Sequence, residues 1–131
     1  METDDRTLGQ KRAKHALQQI TEKVMSKEDK EIQYSFLSYV SSLPATIVMN
    51  GLGQAMAFEL SKKDVGHRLL YGAISEWLCK SENAIYKGKN DLITAITEGS
   101  QEQYIIAQAE ALVYLEWLKK FSRAYLKKKE E

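Results

Sequence analysis

Few side chains in this sequence belong to the types that do acid–base, covalent or metal chemistry, and their spacing is unfavourable. The two histidines, His15 and His67, each lack a second ligand three or four residues further along the chain. A transition-metal site takes about three or four such groups, so no metal is expected. Cys79 stands beside Trp77 and Leu78 with only Lys80 as a cation within a turn, so it reads as a small core residue and not a nucleophile. Glu110 and Glu116 are not three or four apart and form no carboxylate pair, and Glu59 and Glu76 are single acids in apolar surroundings. The Gly-Leu-Gly of Gly51 to Gly53 lacks the preceding strand and the lysine-serine ending of a phosphate loop. No catalytic constellation emerges. The expectation is a protein that is not an enzyme and takes no cofactor and no small-molecule substrate.

Cations and amides are better placed. Arg6 to His15 holds four basic residues (Arg6, Lys11, Arg12, Lys14) and no acid, and Lys119 to Lys129 holds six and no acid. Glu76 to Glu110 carries six acids against three lysines, so a net charge of only +1 hides basic ends and an acidic middle. That distribution fits a module touching something anionic on one side, and equally fits two solvated, lysine-rich helix ends. Near the N-terminus, Lys11, Arg12, His15, Gln18 and Gln19 form a connected polar surface, with Lys14 at its edge. Lysine and arginine neutralise phosphates, and glutamine and histidine can bond sugar or phosphate oxygens without reading sequence. Near the C-terminus, Lys119, Lys120 and Arg123 are turn-spaced. If the first and last helices are neighbours, the two stripes could join into one groove wall. The seven tyrosines form no clustered stacking platform, so contact with a nucleic-acid backbone is favoured over base recognition.

The elements that must hold these residues are helical throughout. The first helix is expected from about Asp5 to Lys27, with Leu8, Ala13, Leu17, Ile20 and Val24 as its apolar stripe and Lys11, His15, Gln18, Gln19 and Glu22 opposite. Ser26 reads as the N-cap of a second helix that turns Ile32, Phe36, Tyr39, Val40 and Leu43 inward and is stopped by Pro44. Pro44 then starts a central helix reaching about Lys62. This segment has no charged residue between Pro44 and Phe58 and is expected to be buried on all sides. Thr46, Asn50, Gly53 and Ala57 give it a small-residue face, Val48, Leu52, Ala55, Met56 and Leu60 a bulkier one, and Asn50 and Gln54 are one turn apart. A fourth helix follows over His67 to Lys80 with Leu70, Ala73, Ile74, Trp77 and Leu78 inward. After a loop over Ser81 to Asn90 comes a brief helix ending at Gly99, a C′ glycine. The last helix opens with a capping box of Ser100 and Gln103 and runs to about Lys127 with a broad apolar face that includes Ile105, Ile106, Val113 and Trp117. No alternating strand pattern of useful length occurs. The fold class is all-α: one domain over residues 1–131, a compact bundle of five to six helices around a central apolar helix. No apolar run approaches the roughly 20 residues that span a bilayer, so a soluble cytoplasmic protein is expected.

Three blocks carry a resemblance: QKRAKHAL (Gln10 to Leu17), LPATIVMNGLGQAMAF (Leu43 to Phe58) and EALVYLEWLKKFSRA (Glu110 to Ala124). In this order and spacing they resemble the small subunit of the type III-B CRISPR effector, the Cmr complex. The resemblance spans nearly the whole chain, and N-G-L-G-Q inside an apolar helix is its most specific part. It implies a non-catalytic helical protein in antiviral defence, stacked head to tail in several copies along a ribonucleoprotein filament. The implied partners are the backbone and large subunits, further copies of the same chain, guide RNA and target RNA, with no membrane. Target cleavage is attributed in that family to the backbone subunit, and the polymerase and DNase activities to the large one. Carried onto this sequence, Lys11, Arg12, Lys14, His15, Lys119, Lys120 and Arg123 become the RNA-contact candidates. Asn50, Gly51, Gly53, Gln54 and Trp117 become a structural signature of the core.

Overall fold

In a computed structural model, residues 5–129 of the chain are described; residues 1–4 and 130–131, part of the expected domain, lie outside them. Among the described residues there are six α-helices and no strand. They are α1 (Leu8–Gln18), α2 (Lys30–Asn50), α3 (Leu52–Ser61), α4 (Val65–Lys80), α5 (Leu92–Glu98) and α6 (Gln101–Tyr125). None is long and apolar enough to cross a membrane.

α1 begins at a reciprocal cap that the sequence reading did not anticipate. The Gln10 backbone N–H donates to Thr7 Oγ1 (3.1 Å), and the Thr7 N–H donates to Gln10 Oε1 (2.8 Å). The helical rod continues beyond α1 through a π-helical stretch, Gln19–Val24, and a 3₁₀ turn, Met25–Lys27. Its buried line is Ala16, Ile20 and Val24, whereas Leu8 is exposed and Ala13 and Leu17 are only half-buried. The wider π turn changes the phase of the rod at Gln19, so a stripe drawn at constant period drifts off the core. Ser26 does not cap α2. Its hydroxyl donates back to the Glu22 carbonyl (2.6 Å), and Asp29 caps instead, accepting from the Glu31 and Ile32 amides at 2.9 and 3.2 Å.

Two punctuation marks are used differently from the expectation. Pro44 sits inside α2, which runs on to Asn50. An interior proline costs about 3 kcal/mol, yet Val40, Leu43 and Ile47 on the same face are buried. Each such side chain contributes about 1.5–3 kcal/mol on burial, so packing outweighs the lost backbone bond. The break comes at Gly51, whose φ of 89° and ψ of 157° are accessible to glycine and costly to other residues. The segment expected to be one buried helix is therefore the end of α2, a corner, and α3. Its corner lies at the surface: Val48 and Met49 are 69% and 81% exposed, and Phe58 and Leu60 are also exposed. The apolar helix at the centre is α4. Leu70, Ala73, Ile74, Trp77 and Leu78 are buried as expected, together with Gly66, His67, Tyr71, Ser75 and Cys79.

α6 closes the bundle. Its capping box is present as read from the sequence: the Gln103 N–H donates to Ser100 Oγ (3.1 Å) and the Ser100 N–H to Gln103 Oε1 (3.0 Å). Gly99 follows α5 without the left-handed turn expected of it; its φ is −81°, and a Cβ there would lie 2.8 Å from Gln103 Oε1. α2 and α6 run antiparallel. The Lys127 N–H donates to Gln33 Oε1 (2.9 Å) at one end, and the Leu52 N–H to Gln108 Oε1 (2.9 Å) at the other. α1 and α6 lie side by side with the same polarity, Arg12 meeting Glu110 and His15 meeting Tyr114.

Candidate nucleic-acid interface

The packing of α1 on α4 and α6 divides its polar residues into two sets. Arg12 turns inward and forms a bidentate pair with Glu110, with Nε to Oε2 at 2.6 Å and Nη2 to Oε1 at 2.7 Å. Trp77 Nε1–H donates to the same Glu110 Oε2 (2.9 Å), so one carboxylate ties α1, α4 and α6 together. The hydrogen bond to Glu110 raises the Arg12 pKa above its ordinary value, against the effect of burial. His15 is inward too, with Nδ1 2.6 Å from Tyr114 Oη and Nε2 3.6 Å from Glu76 Oε2. Its Nε2 is shielded from solvent and makes no hydrogen bond. Burial lowers the His15 pKa, opposed by the Glu76 charge and assisted by Lys23. Gln19 donates to Glu76 (2.7 Å), as does Lys23 (3.0 Å). Burial would raise the Glu76 carboxyl, but these bonds and charges overcome it and hold the group below its ordinary value. His15 and Gln19 were expected on the outer side; flanking contacts with α4 and α6 bury a wider sector of α1 than a single stripe.

Lys11, Lys14 and Gln18 form the outer set. They line a cleft of about 230 Å³ with Arg6, His15, Trp77, Glu82 and Asn83. Lys11 Nζ lies 3.5 Å from Asn83 Oδ1 and 3.7 Å from Glu82 Oε2, while Lys14 is exposed and makes no ion pair with a described residue. Glu82 and Asn83 were read only as loop. Nothing in the local sequence marks a partner 71 or 72 positions away from Lys11.

Lys119 is half-buried, and Lys120 and Arg123 are exposed. α1 and α6 are indeed neighbours, yet the two basic stripes do not merge. At about 100° per residue, Lys119 lies half a turn around α6 from Glu110, which faces α1. The exposed surface between the α1 edge and Lys120 is apolar, formed by Ile106, Val113 and Trp117. Trp117 was placed in the core signature, but it is 36% exposed and stacks on Phe121; the buried tryptophan is Trp77. Asn50 and Gln54 are exposed and form no hydrogen bond with each other. Gly51 and Gly53 do have a close-approach reason: Tyr104 Oη accepts the Gly53 N–H (3.0 Å), and a Cβ on Gly51 would lie 2.9 Å from the same oxygen.

A second polar cluster joins α3 to α4. Glu59, expected to be a lone acid, is buried with one oxygen 3.1 Å from His67 Nδ1. Burial raises its carboxyl despite the histidine. The His67 ring stacks on Tyr39 at 3.5 Å, and its Nε2 lies 3.7 Å from Asp64. These contacts account for His67 as a packing element. Among the described residues, no three His, Cys, Asp or Glu side chains converge as metal ligands.

Comparison with known proteins gives two findings. The model of a family described as CRISPR-associated protein (Cas_Cmr5) matches residues 8–125. The X-ray crystal structure of a CRISPR-associated Cmr5 family protein from Thermus thermophilus is similar, with a TM-score of 0.73 and 26% sequence identity. The match covers 93% of this chain and 100% of that one.

Proposed function

The chain belongs to the CRISPR-associated Cmr5 family, and from that premise we propose that it is the small subunit of a type III-B CRISPR effector, the Cmr complex. In this reading it is non-catalytic and stands in several copies along a ribonucleoprotein filament, beside the backbone and large subunits. The family match over residues 8–125 carries the reading. RNA contact is assigned to the outer edge of α1, where Lys14 is exposed and Lys11 is held only by long contacts to a surface loop. Lys119, Lys120 and Arg123 form a separate backbone-contacting strip.

The test is a Lys11→Glu, Lys14→Glu double variant incorporated into the assembled complex. Target-RNA affinity should fall at least tenfold, with a shallower salt dependence, because each lost phosphate contact removes roughly 0.7–0.9 from the log–log slope. Unchanged RNA affinity of the folded, incorporated variant would remove this edge from the interface. Arg12 is left alone in this test because its charge already serves Glu110.

One observation favours a second reading, a protein-interaction scaffold without RNA contact: the exposed apolar residues Ile105, Ile106, Val113 and Trp117 along α6. Ultraviolet crosslinking in the assembled complex separates the two. RNA adducts on α1 or α6 support the first, and their complete absence supports the second.

A further inference from the structure

Among the described residues, three cations, Arg6, Lys11 and Lys14, line the cleft beside α1, and one carboxylate, Glu82, lines it with them. Glu82 belongs to the turn after α4, and that turn is pinned at both ends. Ser81 Oγ donates to the Trp77 carbonyl (2.6 Å), and the Tyr86 N–H donates to the Leu78 carbonyl (2.9 Å), with the Tyr86 side chain buried. Lys87 Nζ additionally holds the Glu82 carbonyl at 3.2 Å. The backbone of the turn is thus fixed, while the Glu82 side chain is 66% exposed and reaches Lys11 only at 3.7 Å. Lys11 itself is 16% exposed, wedged between this carboxylate and Asn83 Oδ1.

We infer that the cleft seats one backbone phosphate of RNA and that Glu82 is its internal competitor, a carboxylate that occupies Lys11 until the phosphate displaces it. The inference rests on the proposed RNA contact of α1 and names what regulates it. A pair of this length with its carboxylate in solvent contributes less than about fivefold to any equilibrium, so a phosphate held by more than one cation can displace it. Rotation of one exposed side chain opens the seat without moving the pinned turn. Gln18 and Asn83 then offer neutral amides for the phosphate or the adjoining ribose oxygens. The carboxylate sets a shallow threshold: an anion entering the seat must first release Lys11 from Glu82, which weakens its binding by no more than about fivefold.

The experiment is a binding cycle on the full chain at low ionic strength, with a fluorescent oligouridylate read by anisotropy. The variants are Glu82→Gln, Lys11→Gln, their double mutant, Lys14→Gln, and Glu31→Gln as an exposed acid on α2 that controls for net charge. Glu82→Gln should tighten binding about two- to fivefold, and Glu31→Gln should have a smaller effect. In the Lys11→Gln background the gain from Glu82→Gln should shrink toward that of the control. An equal gain with and without Lys11, or one no larger than the control, overturns the competitor role. If Lys11→Gln and Lys14→Gln leave affinity unchanged, or no variant binds, the proposed α1 contact itself is overturned.

Discussion

The inner and outer edges of α1 carry the same kinds of residue and do opposite work. Arg12 and Lys14 are two positions apart, both cationic, and indistinguishable by charge in the sequence. Arg12 lies under α6 and is saturated by Glu110, whereas Lys14 faces water with no counter-ion among the described residues. A cation's value for binding RNA is set by whether the fold has already claimed it. Conserving charge at both positions would conserve two different properties.

Removing the inner cation should have the largest consequence. Arg12→Ala leaves the Glu110 carboxylate largely buried, still bonded to Trp77 and unneutralised. Breaking a buried pair from one side costs about 3–5 kcal/mol, which corresponds to a melting temperature lowered by roughly 10 °C or more. A melting temperature within about 2 °C of wild type would erase the distinction between the edges.

Acid should expose the inner edge next. The folded protein lowers the His15 pKa below its unfolded value of about 6.5, so above that pH both states are neutral and no stability is lost. As pH falls below it, the unfolded chain takes up the proton first and stability declines until the folded histidine titrates. Glu59, whose carboxyl is raised by burial, works in the opposite sense on acidification. The difference between wild type and His15→Gln therefore removes the Glu59 contribution and leaves that of the histidine together with its neighbour Glu76. Denaturant titrations between pH 7 and 5 should show wild type losing more stability than the variant.

The outer edge should be thermodynamically silent and functionally visible. Lys14→Ala is expected to shift unfolding free energy by no more than about 0.5 kcal/mol. It should weaken RNA binding similarly across sequences and reduce the salt slope by about one. A sequence-dependent loss would mean that the edge reads bases, contrary to the backbone role assigned to it.

Much of the frame was legible in the sequence. The inward face of α4 was readable because five large or small apolar residues recur at helical period, and the Ser100–Gln103 box because both halves of the cap lie within one turn. The candidate interface was legible only as composition. Whether Arg12, His15 and Gln19 point in or out depends on Glu110, Tyr114 and Glu76, which lie 57 to 99 positions away. The π turn at Gln19 shifts the rod's phase without leaving a residue signature. Pro44 misled for a related reason: its local preference is real, and burial of the surrounding turn overrode it. Gly51 rather than Pro44 ends α2, because glycine alone adopts that backbone cheaply beneath the Tyr104 hydroxyl.

That corner has a kinetic consequence. The first amides of α3 are satisfied by side chains of α6, Leu52 by Gln108 and Gly53 by Tyr104, across 56 and 51 positions of chain. α3 has no side-chain cap of its own and only ten residues, too few to persist alone in water. Its start is closed by an element made near the end of the chain, so α3 should order only after α6 has docked. During synthesis the N-G-L-G-Q segment would then remain open until the C-terminal helix emerges. In native-state hydrogen exchange, the Leu52 and Gly53 amides should open together with the α6 docking surface rather than with the body of α2.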